Sequence, residues 1–161
     1  MSEPRITRPY MPAYGVPASL EGARPWNWGE ERVASSRNYY VATTRPDGRP
    51  HLMPVWAVWL DGRLYFSTGF EARKAKNLAA NPYCVIATEG ADEAVILEGT
   101  AARTYDRDVI MAASKLYKAK YGEPMSEAIG GIWEVRPSKG FAFVSSEAEF
   151  SAAATRWMWD E

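Results

Sequence analysis

Between residues 39 and 104, short apolar runs alternate with polar turns, as they do in a β-meander. Two of the turns, Pro46-Asp47-Gly48 and Asp61-Gly62, are flanked by apolar residues, and such turns are strong hairpin signals. The pattern predicts strands over residues 39–44, 51–60, 63–68, 83–88 and 94–104, with closing strands over 131–136 and 140–145. The chain is therefore predicted to be mainly β, in the α+β class.

The run from His51 to Leu60 is apolar at both even and odd positions. A strand that is buried on both faces has this pattern. In a barrel the inner face is core, so we expect a second subunit to cover the outer face. Pro54 has no N–H to donate to a strand ladder, and it predicts a bulge or a stop in pairing within this run.

Three helices are predicted between the strands. The first covers residues 26–36 with Asn27 as its cap, and the second covers residues 71–81 and stops at Asn81-Pro82. The third runs from an Asp106 cap through residue 120 and stops at Gly122. Gly99, inside a predicted strand, indicates a bulge or a barrel corner.

The two ends of the chain differ from its middle. Residues 1–25 contain five prolines and no periodicity, which predicts an extended arm ahead of one domain over residues 26–161. The segment Thr155-Arg156-Trp157-Met158-Trp159 is too aromatic to be left free in water.

Composition then narrows the class of protein. The formal net charge of the 161 residues is -1, which gives no electrostatic case for binding nucleic acid or a membrane surface. No run approaches the length of a bilayer span, and the N-terminus lacks a secretory apolar region. We expect a cytoplasmic protein in which Cys84, the only cysteine, is a buried apolar residue.

The candidate chemistry lies after the third predicted strand. That strand ends in Ser67 and Thr68, and the next helix opens with Arg73 and Lys74. Hydroxyls, helix N-terminal amides and cations are the groups that bind phosphate. This segment therefore predicts a site for a phosphate-bearing ligand.

An ordered series of segments resembles the flavin-binding split-barrel family, the relatives of pyridoxamine phosphate oxidase. The similarity is greatest to its branch of small actinobacterial reductases that use coenzyme F420, a deazaflavin, or FMN. The segments that carry the resemblance are Gly48-Arg49-Pro50-His51, Pro54-Val55-Trp56, Leu64-Tyr65-Phe66-Ser67-Thr68, Lys74-Ala75-Lys76-Asn77-Leu78, Asn81-Pro82 and Thr155-Arg156-Trp157.

The resemblance implies a split β-barrel of about six antiparallel strands with two or three helices, assembled as a homodimer with the cofactor at the interface. It implies that Lys74 contacts the cofactor phosphate and that Pro54, Val55 and Trp56 lie along the flavin-type ring. The remaining cofactor-binding residues that it implies are Ser67, Thr68, Arg73, Asn77 and Trp157.

The function implied is hydride transfer between F420 and a conjugated organic acceptor. Two alternatives remain: an FMN-dependent oxidase or reductase, and a non-enzymatic carrier of a flavin or a tetrapyrrole. In such enzymes the cofactor carries the redox chemistry, and the sequence identifies no catalytic residue. His51, the only histidine, is interpreted as structural or peripheral, and no metal site is predicted because it has no second histidine and no paired cysteine.

Overall fold

A computed structural model describes residues 2–126 and 131–160 of the chain. In this part of the chain, nine strands form one mostly antiparallel sheet and four helices pack around it. The strands are β1 (Arg5–Thr7), β2 (Tyr39–Thr44), β3 (Pro50–Val55), β4 (Val58–Leu60), β5 (Arg63–Ser67), β6 (Tyr83–Thr88), β7 (Glu93–Thr104), β8 (Ile132–Val144) and β9 (Thr155–Met158). The helices are α1 (Trp26–Ser35), α2 (Arg73–Ala80), α3 (Arg107–Tyr121) and α4 (Phe150–Ala153).

The strand order explains how the sheet forms a barrel that is only partly closed. Neighbouring strands run β1-β9-β8-β7-β6-β2-β3, and the hairpin of β4 and β5 lies off this path. One edge of β8 is shared, because β5 pairs with residues 132–135 and β9 pairs with residues 139–142. The split β-barrel and the α+β class are thus confirmed.

The prediction of about six strands is wrong, and the reasons are local. Strand β8 continues through Pro137 where two strands were predicted, and the predicted strand over 51–60 is broken at residues 56 and 57. Strands β1 and β9 also arise from segments that were predicted as an arm and a tail. Helix α4, with only four residues, is added to the three predicted helices.

Strand β3 is an edge strand in the single chain, so the prediction that it is buried on both faces does not hold there. Leu52 is 59% exposed and Met53 is 43% exposed, whereas Val55 is buried. Pro54 fits this position because an edge strand tolerates a residue without an N–H donor.

The barrel core is closed at one end by three tryptophans. Trp26 packs edge-on against Trp157 and Trp159, with ring centroids 5.1 and 4.8 Å away. The indole N–H of Trp157 donates to the Arg24 carbonyl at 3.0 Å, so this buried polar group is satisfied. Helix α1 approaches closely here because Gly29 faces the Trp157 ring, where a Cβ would lie 2.5 Å from the nearest ring carbon.

The cap and stop signals in the sequence predict both ends of α3 correctly, but they do not predict the cap of α1. Asp106 caps α3 by accepting hydrogen bonds from the N–H groups of Asp108 and Val109, and Gly122 ends that helix with a left-handed φ of 84°. The prediction for α1 is wrong, since the cap position is Pro25 and no side chain caps the helix. Proline fits there because it is pre-organised for the start of a helix.

The N-terminal segment packs on its own chain. Strand β1 pairs with β9 in antiparallel register. The Arg8 guanidinium then donates to the carbonyls of Ala152 and Ala154 at 2.6 and 2.7 Å. These bonds satisfy carbonyls at the end of α4, which the helix itself leaves unpaired.

The bulge between β7 and β8 predicts a sharp effect of a single methyl group. Gly99 lies at the register shift, and a Cβ there would lie 2.1 Å from the Arg136 carbonyl oxygen. We expect Gly99→Ala to lower the free energy of unfolding by about 2 kcal/mol or more, because the backbone of β8 must move. Gly90→Ala is the control, since no atom lies within 4 Å of the place that its new methyl group would take. Urea unfolding of both variants tests this prediction. Equal unfolding midpoints for the two variants, with an unchanged slope of the unfolding free energy against urea concentration, would refute it.

Candidate phosphate and flavin site

The start of α2 carries the features of an anion site. Its cap residue, Ala72, offers no side chain to the first amide groups of the helix. Those amides and the helix dipole favour a negative group at this end. Lys74 lies in the first turn and is half-buried, and burial lowers the pKa of its ammonium group. A partly desolvated cation beside uncapped amides is a suitable partner for a phosphate.

Three further cationic or titratable groups lie near Lys74. The pKa of His51 on β3 is lowered, first by burial and then by the positive charges of Arg45, Lys74 and Arg73. The His51 Nδ1 atom is buried and has no hydrogen-bond partner in the described chain. The structure thus brings β3 and the start of α2 together, with several positive charges concentrated in one region. We call Arg45, His51, Arg73 and Lys74 the basic cluster.

Lys76 is excluded from this group. Its ammonium nitrogen lies 2.8 Å from a carboxylate oxygen of Glu71, and both side chains are largely exposed. An exposed pair of this kind contributes little to stability. Lys76 therefore serves as a natural comparison for Lys74 on the same helix.

The predicted hydroxyls lie at the end of β5. Ser67 is the last residue of that strand and pairs with Ile132, whereas Thr68 follows it and is buried. Successive side chains of a strand point to opposite faces, so if the chain stays extended at Thr68 the two hydroxyls face different sides. At most one of them can meet a ligand that the basic cluster holds.

Asn77, another residue predicted to bind the cofactor, lies beneath the start of the site. It is fully buried on the inner side of α2, and its side-chain N–H donates to the Thr43 hydroxyl at 3.0 Å. Thr43 pairs directly with His51 across β2 and β3. Asn77 therefore contacts β2 rather than open space, and it ties α2 to the strand pair that carries His51.

The segment Pro54-Val55-Trp56 presents a mixed surface. Val55 packs in the core, while Pro54 is exposed on the edge strand. The Trp56 ring stacks on Tyr121 at 4.5 Å with an interplanar angle of 3°, and its indole N–H donates to the Asn38 side chain at 3.1 Å. A ligand along this segment would therefore meet backbone, Pro54 and the Trp56 ring rather than the Val55 side chain.

Lys120 is hydrogen-bonded to Ala57, the residue that follows Trp56. Its ammonium donates to the Tyr39 hydroxyl at 2.8 Å and to the Ala57 carbonyl at 3.0 Å. Burial and the nearby Arg37 lower the pKa of Lys120 to about 8, and Glu89 opposes the shift. The Tyr39 hydroxyl in turn donates to the Val33 carbonyl. This network joins the end of α3 to β2 and to the break between β3 and β4.

Trp157, another residue predicted to bind the cofactor, lies in the barrel core. It has no exposed surface in the single chain, and its indole N–H donates to the Arg24 carbonyl. A tail rich in aromatic residues indicated burial, but not whether the burial was by protein or by ligand.

Two arginines were not predicted from the sequence: Arg45, a member of the basic cluster, and Arg103, which lies near the segment that leads into α2. Arg45 lies at the end of the β2 strand, and Arg103 lies over the Phe70 ring at 4.6 Å. The Arg103 Nε and the Trp133 Nε1 are both buried without an acceptor among the described residues, and these two residues pair across β7 and β8. Arg45 was identifiable as a charge beside a hairpin turn, whereas only the strand register places Arg103.

The described residues contain no cluster of His, Cys, Asp or Glu that could hold a metal ion, and none of their helices is long and apolar enough to cross a membrane. Burial raises the pKa of the Cys84 thiol to about 12, so it stays protonated at neutral pH. A reactive thiolate needs the opposite shift.

Comparison with known proteins gives a family. The family model described as "Pyridoxamine 5'-phosphate oxidase" matches residues 30–149. A pyridoxine/pyridoxamine 5'-phosphate oxidase from Bacteroides thetaiotaomicron is 39% identical over 66 residues. That match covers 39% of this chain and 31% of the relative, so it spans about a third of the relative's length.

Solved structures share the fold. An F420 reductase superposes with a TM-score of 0.57 at 24% identity, over 69% of this chain and 94% of its own. The heme storage protein HutZ from Vibrio cholerae superposes with a TM-score of 0.60 at 18% identity, over 73% of this chain and 92% of its own. At these identities the likeness establishes the fold alone.

The lowered pKa of Lys120 predicts a pH dependence of stability. Its pKa is about 8 in the folded chain and about 10.4 in an unfolded one. Between these values the unfolded state binds more protons, so this lysine makes the folded state more stable as pH rises. We expect the stability of the wild type relative to Lys120→Met to increase from pH 7 to pH 9.5, measured by urea unfolding at each pH. A constant or falling difference would contradict this expectation, and Lys118→Met, on the exposed face of the same helix, is the control.

Proposed function

Because the chain belongs to the pyridoxamine 5'-phosphate oxidase family, we propose that it is an oxidoreductase that uses a phosphate-bearing flavin or deazaflavin. The observation that carries this proposal is the basic cluster at the uncapped start of α2. Lys74 is partly desolvated, and the positive charges of Arg45, Lys74 and Arg73 oppose protonation of His51 in the free chain. A phosphate group would offset both effects.

The residues present fit such a cofactor. Lys74 and the first amides of α2 would hold the phosphate, with Arg73 and one hydroxyl of Ser67 or Thr68 beside it. Asn77 would act indirectly. Its side-chain N–H donates to the Thr43 hydroxyl at 3.0 Å, and this hydrogen bond fixes α2 against β2. Pro54 and the exposed edge of β3 would border the ring, since an edge strand offers backbone groups that no neighbouring strand occupies.

The cofactor would supply the hydride transfer, and the protein would bind, orient and shield it. His51 fits this division, because its lowered pKa favours the neutral imidazole beside the cations. Its buried Nδ1 atom, which has no partner within the described chain, would then be free to meet a polar atom of the cofactor.

Within this class we propose F420 as the cofactor and a conjugated organic compound as the hydride acceptor. The fold shared with a protein named F420 reductase supports this choice. The alternative is FMN in an oxidase or a reductase, which the family's name supports. Both cofactors carry a phosphate, so the basic cluster serves either.

A second function is a non-enzymatic carrier of a flavin or a tetrapyrrole. The likeness to HutZ, which is named a heme storage protein, favours it. An enzyme would reduce an acceptor with reduced cofactor, whereas a carrier would bind its ligand tightly and reduce nothing. Turnover assays with reduced F420 and reduced FMN, using quinones and biliverdin-like tetrapyrroles as acceptors, would separate the two.

We also propose that two copies of the chain form a homodimer. The strand register places five apolar residues on one outer face of the sheet, running from β3 to β8: Leu52, Tyr40, Val85, Ile96 and Phe141. All five are exposed or half-buried in the single chain. A continuous apolar face of this kind usually marks an interaction surface.

The cofactor proposal is tested at Lys74. We expect Lys74→Ala to weaken the binding of the preferred cofactor by about 1.5 to 3 kcal/mol, the range for hydrogen bonds to charged groups. Fluorescence titration of purified protein with FMN and with F420 measures this and also decides which cofactor binds better. Lys76→Ala should leave affinity unchanged because its partner is Glu71. Equal affinity of the wild type and Lys74→Ala would show that the phosphate site is misplaced.

The dimer is tested at Leu52. Light scattering at low micromolar concentration should give twice the chain mass, as an obligate interface of more than about 2,000 Å² requires. Leu52→Glu places a charge on the outer face and should give the monomer mass. Leu116→Glu introduces the same charge at an exposed position on α3 and should not. A folded wild-type monomer at these concentrations would rule the dimer out.

A further inference from the structure

A cavity of about 690 Å³ opens at the opposite end of β5 from the basic cluster. Its wall is formed by residues of five strands, β4 to β8, by α3 and by the segment after β9, and it includes Arg63, Tyr83, Val109, Arg136 and Trp159. Small-molecule sites in proteins have volumes of about 300 to 1,000 Å³. This cavity is therefore large enough for an aromatic compound.

The cavity is separate from the proposed cofactor site. Arg63 and Ser67 are the two ends of β5, which places them roughly 13 Å apart at about 3.3 Å per residue. Among the described residues that line the cavity, none belongs to the basic cluster, and neither Ser67 nor Thr68 is included. A ligand held here would not compete for the same cations.

Two guanidinium groups, Arg63 and Arg136, line the cavity, and the Glu134 carboxylate lies beside both of them. Glu134 is largely buried, and its Oε1 accepts a hydrogen bond from Arg63 at 2.8 Å. Its Oε2 accepts from the Tyr65 hydroxyl at 3.0 Å. Arg136 lies 3.8 Å from the same Oε1, which is beyond hydrogen-bond distance. Glu134 is thus already engaged, and among the described residues no acceptor holds the N–H donors of the Arg136 guanidinium.

The Arg136 side chain is suited to a planar anion. It is 62% exposed, and its guanidinium can bind a carboxylate or sulfonate through two parallel hydrogen bonds. Two exposed aspartates, Asp61 and Asp160, also border the cavity. Their charges disfavour a second negative charge on the ligand, so a phosphate monoester dianion fits poorly.

The rest of the wall is apolar and aromatic. Trp159 is 7% exposed, and its indole N–H has no acceptor within the described chain. Tyr83, which is largely exposed, and Val109, at the start of α3, complete an apolar surface. Such a wall favours a ring over an extended polar compound.

We propose that this cavity binds a monoanionic aromatic compound, whose carboxylate or sulfonate accepts hydrogen bonds from Arg136 and whose ring packs against Trp159, Tyr83 and Val109. The residues named for this site all belong to one chain, and none of them belongs to the proposed cofactor site. It provides a second place at which an organic acid can bind this chain.

The probe for this site is 8-anilinonaphthalene-1-sulfonate, an aromatic monoanion whose fluorescence rises when it leaves water. We expect saturable binding of one probe per chain to the wild-type protein. Arg136→Gln should weaken it by about tenfold, and Arg136→Lys should have a smaller effect because the charge is kept. Arg5→Gln, an exposed arginine on β1, is the matched control and should bind like the wild type.

Two further measurements locate the probe. Val109→Trp fills the cavity and should abolish binding, provided that the variant unfolds at the same urea concentration as the wild type. Lys74→Ala and an excess of FMN should leave probe binding unchanged. Displacement by FMN, loss of binding in Lys74→Ala, equal affinity in Arg136→Gln, or no saturable binding would each overturn the proposal.

Discussion

The demand of the β8 backbone for hydrogen bonds is the constraint on which the rest of the structure depends. This strand has 13 residues, and one of its edges is covered by β7 along almost its whole length. No single strand covers the other edge, which is divided between β5 and β9. Because unpaired backbone groups are unfavourable when buried, the chain must bring two distant segments to the same strand.

That division determines where the functional groups lie. Pairing with β8 fixes β5, and so places Ser67 and Thr68 at the entrance to α2. The same pairing places Arg63 next to Glu134, at the wall of the second cavity. The extra residue at the bulge opposite Gly99 turns the second half of β8 toward β9, which allows Trp157 to enter the core. One bent strand thus separates the basic cluster from the cavity that Arg63 and Arg136 line.

The sequence predicted local elements well because their signals are local. The strands 39–44 and 83–88 have the predicted bounds, and the Asp106 cap, the Gly122 stop and the Gly99 bulge lie where turn chemistry puts them. The features that the sequence did not predict concern which strand or side chain a given segment contacts. The apolar run over residues 51–60 does not distinguish an edge strand from a central one. Pro137 suggested a break between two strands, and only the pairing with β7 shows that β8 continues through it. Lys74 was proposed from its position at a helix start, whereas the place of Arg103 depends on strand register. The aromatic pattern around Trp157 predicted burial, but it does not distinguish burial by protein from burial by a ligand.

Synthesis of the chain on a ribosome gives the position of Trp157 a further consequence. Its ring fills the space beside Gly29 on α1, and β9 provides the partner for β1. The first and last strands therefore complete each other, and the barrel cannot close until about residue 159 has emerged from the exit tunnel. Until then the core around Trp26 stays open and half of the β8 edge is unpaired, a state that is prone to aggregation. Folding of this domain must therefore wait until β9 has emerged, and a chaperone that binds earlier would meet an open sheet rather than a finished barrel.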